Sequence, residues 1–359
     1  MTEKFFFGGM APSGFSTQFR QIAGSKEYYT YILKGGPGTG KSQMMKKIAE
    51  RFADSENVAR FYCSSDPDSL DAVMLHSSKV VVLDGTPPHV FEPQFPGIHQ
   101  EIVDLGQCWD KAALGENGEA IVKTSELYKS TMSGAVAYSK ALGLICDDTY
   151  ACAERFVDKQ GIEEAARVLC ENLFENRERR TSCGKRTIRQ LSVMTRYGYK
   201  TLPDAAESCR KLYILDDELF AASCMLIDFV AARAMDYGYD TKLSQCLLSA
   251  IPISEHLMID EVGAVLMTSN PLTQIAYEKA EHIDCSIYYD EDQMRSYDKH
   301  FATNRSLIST ISDASREMLD DAKRVHDEME QYYIGAMDFN ALNSICEKLC
   351  DEIERIGHR

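Results

Sequence analysis

Residues 35–42 read Gly-Gly-Pro-Gly-Thr-Gly-Lys-Ser, which fits the spacing Gly-x-x-x-x-Gly-Lys-Ser/Thr. Glycines at 35, 36, 38 and 40 free the backbone to take positive φ and to turn its N–H groups onto one anion. A lysine directly after the last glycine adds a cation that reaches phosphate oxygens, and the hydroxyl that follows can ligate Mg2+. On this reading Gly35, Gly36, Pro37, Gly38, Thr39, Gly40, Lys41, Ser42 and Gln43 surround the phosphates of a nucleotide, with Lys41 stabilising transferred charge. No Asn-Lys-x-Asp occurs in the chain, so a guanine-specific site has no support and Mg2+-bound ATP is the expected cofactor.

Such a loop has to be held between a strand and a helix. Tyr28–Leu33, β-branched and aromatic, predicts the strand. Met44, Met45, Ile48, Ala49 and Phe52 recur at helical spacing and predict the helix, whose N-terminal dipole would face the same anion. Val80-Val81-Val82-Leu83-Asp84 predicts a buried strand that ends in an acid at the carboxyl edge of the sheet, where ligands of open α/β sheets sit. Asp84 is therefore the expected Mg2+ ligand beside Ser42; capping of the turn at Gly85 is the structural alternative. Many ATP-driven motors carry a glutamate after that aspartate, and here the residue is Gly85, so the group that activates the attacking oxygen has to come from elsewhere.

Asp66, Asp68 and Asp71 follow the presumed second strand. Asp66 or Asp68 is a candidate general base towards an acceptor hydroxyl or water, or else Ser-Asp-Pro-Asp-Ser caps a helix with Pro67 at its first position. His89, downstream of Asp84, either meets the terminal phosphate or lies in a surface loop. Residues 177–200 hold eight Lys or Arg against one acid. They read as a solvated linker and an opening strand, or as the source of an arginine finger for the first site. Gly184-Lys185-Arg186-Thr187 imitates a loop fragment, but Arg179 stands where the first glycine is needed.

The chain repeats itself. Tyr31-Ile32-Leu33 matches Tyr213-Ile214-Leu215, and the same alignment puts Ala49 on Ala231 and Arg51 on Arg233. Lys41 then faces Ser223, Ser42 faces Cys224, and Asp84 faces Leu266 or a near neighbour. Asp216, Asp217 and Glu218 fall where phosphates would lie and would repel them, so the second site is expected to be dead. His256–Glu261 with Thr268-Ser269-Asn270 imitates a catalytic strand and sensor, but at the wrong spacing, and Asp260 aligns with Ser78, ahead of the strand. The helical parts repeat at a slightly smaller offset: Glu154, Ala165, Cys170, Glu171 and Leu173 match Glu330, Ala341, Cys346, Glu347 and Leu349. Leu307, Ile311, Ala314, Met318, Val325, Met329 and Tyr332 predict a helix-packing seam, and Asp338 predicts the cap of a shorter helix.

Composition bounds the rest. The 359 residues carry 39 basic and 55 acidic side chains, a net charge of −16, which disfavours nucleic acid and anionic membranes as partners. Twelve cysteines without a Cys-x-x-Cys predict buried thiols in a reducing cytoplasm. MTEKFFFGG is too short an apolar run for a signal peptide, and no stretch approaches a membrane helix.

The stretches FYCSSDPDSLDAV (61–73), VVVLDGTPPHVFEPQFPG (80–97) and FFGGMAPSGF near the N-terminus are distinctive. With them the chain resembles, over nearly its whole length, an uncharacterised bacterial family of tandem P-loop proteins described as ATPases or nucleotide kinases. The resemblance implies the fold and ATP binding. The expected architecture is α/β: two tandem P-loop NTPase-like units, each a largely parallel sheet flanked by helices with a helical appendage. Residues 1–176 would form the active unit (appendage about 125–176) and 177–359 the degenerate one (appendage about 300–359). Three functions are compatible with these residues: an ATPase, a nucleotide or small-molecule kinase with an unidentified acceptor, and an ATP-dependent switch that binds a protein partner.

Overall fold

The computed structural model describes residues 2–17, 22, 24–87, 90–175 and 177–357. The chain passes twice through one series of elements. The first pass runs β1 (Thr2–Phe6), the hairpin β2 (Gly8–Ala11) and β3 (Gly14–Thr17), then β4 (Tyr29–Lys34), α1 (Lys41–Phe52), β5 (Val58–Tyr62), β6 (Leu70–Leu75), β7 (Val80–Asp84) and β8 (Gln100–Asp104). It closes with the long helix α2 (Gly118–Ala153) and α3 (Lys159–Leu173). The second pass runs β9 (Arg186–Ile188), the hairpin β10 (Ser192–Thr195) and β11 (Gly198–Thr201), then β12 (Lys211–Asp216), α4 (Ala221–Asp236), β13 (Thr241–Gln245), β14 (Ser254–Ile259), β15 (Ala264–Ser269) and β16 (Glu281–Asp284). It closes with α5 (Asp298–Gly335) and α6 (Phe339–Gly357).

The result is an α/β protein with two similar six-stranded sheets. Their orders, β1-β5-β6-β7-β4-β8 and β16-β12-β15-β14-β13-β9, are the same order read from opposite ends. The sheets are mostly parallel, as expected, but mixed: each contains one antiparallel strand. β6 is antiparallel to both β5 and β7, and β14 to both β13 and β15. Chain length explains this: only residues 63–69 and 76–79 connect β5 to β6 and β6 to β7, and a parallel crossover needs a dozen residues or more. The remaining pairs, including β4 with β7 and β8, are parallel.

The compact units do not follow the boundary at 176/177. One consists of Met1–Gly9, Phe15–Ala135 and Arg316–Arg359; the other of Met10–Gly14 and Val136–Ser315. Each α/β half therefore shares a unit with helices from the other repeat. The reason is visible in the first unit's core, where Tyr31, Leu33, Met45, Ile48, Val73 and Val82 cluster with Leu342, Cys346, Leu349, Cys350 and Ile353 of α6. Arg51 on α1 is tied to the same helix through Glu347, Asp351 and Glu354. In the second unit, Ile162, Leu169 and Leu173 of α3 join Leu226, Val230 and Leu257.

The register of the helical repeat also differs from the sequence match. Trp109 bridges Met337 as Tyr289 bridges Val157. Asp338 caps α6, accepting from the Asn340 and Ala341 N–H groups, and Asp158 caps α3 in the same place. Leu349 thus corresponds to Leu169 and Cys350 to Cys170, one turn away from the sequence match. Four residues nearly complete a helical turn, so a slip of that size keeps the apolar face and escapes pattern matching. On α5 the most buried positions are Phe301, Asn304, Ile308, Ser315, Leu319, Ala322 and Met329, and Leu307 is 38% exposed. The expected seam lay beside this stripe, meeting it only at Met329, because Asn304 and Ser315 do not count as apolar signal. Ser315 is instead buried through a 2.9 Å hydrogen bond with Ser139.

All twelve cysteines are free thiols. No helix among the described residues is long and apolar enough to cross a membrane.

Burying Leu342, Leu349 and Ile353 contributes about 1.5–3 kcal/mol each, as much together as the ~5–15 kcal/mol by which a whole domain is stable. A fragment of residues 1–176 should therefore lack cooperative unfolding and amide-exchange protection in β4 and α1. Adding residues 316–359 as a separate peptide should restore both. A fragment that unfolds cooperatively by itself would show that the sequential unit is self-sufficient.

Candidate functional site

β4 ends at Lys34 and α1 begins at Lys41, so Gly35–Gly40 form the turn between them. Gly38 and Gly40 take φ of 67° and 79°, the left-handed region that the glycines were expected to supply. Lys41 folds back over the turn, with Nζ donating to the carbonyls of Gly35 at 3.0 Å and Gly36 at 2.8 Å. Thr39 is buried and its hydroxyl donates to Gly36 O at 2.9 Å. Pro37 is half-buried, and Gln43 points to solvent from the first turn of α1.

Asp84 ends β7, directly beside β4, in register with Leu33. Its Oδ2 stands 3.6 Å from Lys41 Nζ, and its Oδ1 accepts from the Thr86 N–H at 2.8 Å and hydroxyl at 2.5 Å. Burial pushes the carboxyl above its ordinary value, against the pull of Lys41 and Thr86. Thr86 was not singled out in the sequence. Ser42 Oγ accepts from the Leu70 N–H at 2.9 Å. A Cβ at residue 85 would lie 2.3 Å from Ile32 Cγ2, so packing of β7 on β4 demands glycine where motor ATPases carry glutamate.

The acidic loop is a hairpin turn and not the start of a helix. Asp66 O accepts from the Ser69 N–H, and the Asp66 carboxylate accepts from the Ser69 hydroxyl at 2.9 Å. Asp66 also stands 3.6 Å from Lys323 Nζ, so its charge is already engaged. Asp68 is exposed. Asp71 is buried on β6, close enough to Asp84 to push its carboxyl upward. His89 lies outside the described residues.

Reasoning from the sequence missed the residues that α5 brings to this turn. Gly38 N–H donates to Glu330 Oε1 at 3.2 Å. A Cβ on Gly38 would meet Glu330 O at 2.9 Å and Ile334 at 3.0 Å; one on Gly36 would meet Tyr333 and Trp109. His326 Nδ1 is 3.8 Å from Glu330, its ring packs against Tyr128 at 5.4 Å, and burial holds its imidazole below the ordinary value. His326, Asp327 and Glu330 bring their ligand atoms within 4.8 Å of one another, but Asp327 is already bonded to the Lys323 ammonium, which supplies the positive charge there. Nothing in the spacing of these residues separates them from other polar positions on a long helix.

The second turn shows what became of the first. Leu215 is in register with Thr268 as Leu33 is with Asp84, so Thr268, two residues beyond Leu266, takes the place of Asp84. Ser254 N–H donates to Cys224 Sγ at 3.3 Å, repeating the bond between Leu70 and Ser42 and fixing Cys224 opposite Ser42. Phe220, at φ 66°, keeps the left-handed conformation of Gly38 although it is not glycine.

Of the three acids, Asp216 pairs with His282 at 2.7 Å and Glu218 with Arg305 at 2.8 Å. Only Asp217 enters the turn. Buried to 3% exposure, its carboxylate accepts from the N–H groups of Leu219 at 2.9 Å and Ser223 at 2.8 Å, and from the Tyr289 hydroxyl at 3.0 Å. A Cβ on Gly35, its counterpart, would lie 2.8 Å from Thr39 Oγ1. Thr39 is replaced by Ala221, which removes that obstacle. The second turn has its own anion built in.

The other imitations are structural. In the basic run, Arg180 pairs with Glu261 and Arg179 donates to Asp236 O, and the run belongs to the second unit. Gly184 N–H donates to Met235 O, Asp260 pairs with Lys242, and Asn270 caps a turn at Leu272.

Glu255 takes the position of Asp71 in the second sheet. It is buried, accepts from the Tyr199 hydroxyl at 2.9 and 2.8 Å, and desolvation pushes it from 4.5 to about 7. The folded state thus binds more protons than the unfolded state between those values, so stability falls as pH rises from about 4.5 to 7. Glu255→Gln should remove that component, about 3 kcal/mol over the window, leaving a flatter dependence of the denaturation midpoint on pH. Parallel pH profiles of the two proteins would contradict it.

Comparison of the chain with family models, with curated proteins and with solved structures gives no match.

Proposed function

We propose that the turn Gly35–Gly40 with Lys41, Ser42 and Asp84 binds Mg2+-ATP, and that the protein is a P-loop NTPase with one working site and one retired site. The observation that carries this reading is the joint placement of Lys41 and Asp84. A lysine at the first turn of a helix, behind two glycines at positive φ, stands 3.6 Å from an acid at the end of the adjacent parallel strand. The donors left for a ligand fit a magnesium triphosphate: backbone N–H groups and an ammonium for phosphate, and hard oxygens of Ser42 and Asp84 for Mg2+. Bound Mg2+ would supply charge neutralisation at the terminal phosphates. Lys41 would exchange the Gly35 and Gly36 carbonyls for phosphate oxygens, holding the terminal phosphate and stabilising the charge that develops on transfer. The resemblance to tandem P-loop proteins points the same way.

Asp66 and Asp68, the candidate bases towards an acceptor hydroxyl or water, are otherwise placed, since Asp66 holds its turn and Lys323 and Asp68 faces solvent. Hydrolysis is the reading proposed because it needs no acceptor besides water. The third reading, a switch that binds ATP and a protein partner, is favoured by one contact, that of Glu330 with Gly38.

Purified protein should release phosphate from ATP in a Mg2+-dependent manner, and Lys41→Ala should lower the rate by about a hundredfold or more. Asp84→Asn should weaken the Mg2+ dependence. Release that survives Lys41→Ala unchanged would place the activity elsewhere and reject the site.

A further inference from the structure

The first turn already holds an anion, and that anion is not part of the turn. Gly38 N–H points at the Glu330 carboxylate at 3.2 Å, the backbone of α5 lies against the turn at Gly38, and its Tyr333 ring lies against Gly36. N–H groups of a strand-to-helix turn cradle phosphate oxygens, so the same N–H would serve a phosphate. Two anions do not share one donor at this distance: their mutual repulsion disfavours it wherever solvent is partly excluded. Glu330 is about 30% exposed and Lys41 about 11%, so the seat is partly shielded.

The second repeat provides an independent parallel. There the turn carries its own carboxylate, Asp217, which accepts from the N–H groups of Leu219 and Ser223, the counterparts of Pro37 and Lys41. Where the helix of the first unit presents Glu330, the corresponding helix of the second presents Tyr150, hydrogen-bonded to Cys224. One turn has its carboxylate in the loop and a phenol on the helix; the other has no acid in the loop and a carboxylate on the helix. In each, one carboxylate accepts from the turn: Glu330 from the Gly38 N–H alone, Asp217 from two N–H groups.

From this we propose that Glu330 is a removable anion of the phosphate seat, one that an incoming nucleotide phosphate must displace, so that it sets the affinity of the site. The inference rests on the nucleotide reading above. Displacement moves the carboxylate towards His326, whose Nδ1 is 3.8 Å away, and releases the segment of α5 that lies on the turn. Occupancy of the seat is thereby coupled to a helix encoded in the second repeat.

The test is calorimetric titration of the full-length protein with Mg2+-ATP, Mg2+-ADP and inorganic pyrophosphate. Glu330→Gln and Glu330→Ala should bind all three more tightly than wild type, by about fivefold, the worth of one partly exposed charge-assisted hydrogen bond. Glu317→Gln, an exposed acid of the same helix, controls for net charge and should change nothing. A merely structural role for Glu330 would not raise affinity. Unchanged or weaker binding in both variants, with wild type binding normally and Lys41→Ala not at all, overturns the proposal while the nucleotide reading stands. Absence of binding in wild type and variants alike overturns both. Binding by the variants alone supports it in its strongest form.

Discussion

Backbone N–H groups gathered at a turn from a strand into a helix need an anion, and the rest of this molecule is arranged around that need. A buried N–H without an acceptor costs about 1–3 kcal/mol, and several donors sit at such a turn together. The two turns of this chain meet the need differently. In the second, Asp217 is built in, and the turn has neither the lysine nor the strand-end acid of the first. In the first, the glycines leave the seat open, and Lys41, Asp84 and the carboxylate of Glu330 surround it.

Exchange of helices makes the arrangement of the first turn, with Glu330 beside it, reachable. The apolar residues of α1 share one cluster with the sheet and with α6. Because α6 is joined to α5 by only three residues, 336–338, docking α6 also lays the end of α5 across the turn. The backbone clamp at this joint, Asp110 N–H to Ala336 O at 2.7 Å and Asp338 N–H to Cys108 O at 2.9 Å, fixes the axial position of Glu330, and the cap at Asp338 fixes α6. Packing and the contents of the site are thus linked through a few residues, and a duplicated chain whose halves trade helices cannot retire its second repeat without losing the cover of the first.

Much of this is legible from residue order, and what is not has a physical reason. The turn, its flanking strand and helix, and the strand ending at Asp84 are local features, written in glycine spacing and in runs such as Val80–Leu83. The antiparallel β6 could have been read from the shortness of residues 63–69 and 76–79, had connection length been weighed against the motif. Exchange of helices leaves no local mark, because α6 shows the same amphipathic pattern whichever sheet it covers. For the same reason Glu330, His326 and Lys323 look like ordinary surface positions of a charged helix. The one-turn slip in the helical alignment is a related blindness: side-chain pattern repeats every turn, whereas backbone bridges such as Trp109 with Met337 do not.

The residues that diverged between the repeats, set against those that did not, separate chemistry from architecture. Leu70 donates to Ser42 in one copy and Ser254 to Cys224 in the other, so that bond is structural and the hydroxyl is not needed for it. Gly38 and Phe220 share a left-handed backbone, so the shape of the turn survives even where a side chain makes it costly, by about 1 kcal/mol or more. Lys41, Asp84 and Gly35 of the first copy are replaced in the second by Ser223, Thr268 and Asp217. These three changes are separate in sequence and join only at one point in space. Loss of all three residues, with retention of the left-handed turn and of the bond that ties the following helix to the neighbouring strand, is the pattern expected when a single ligand had been their common reason.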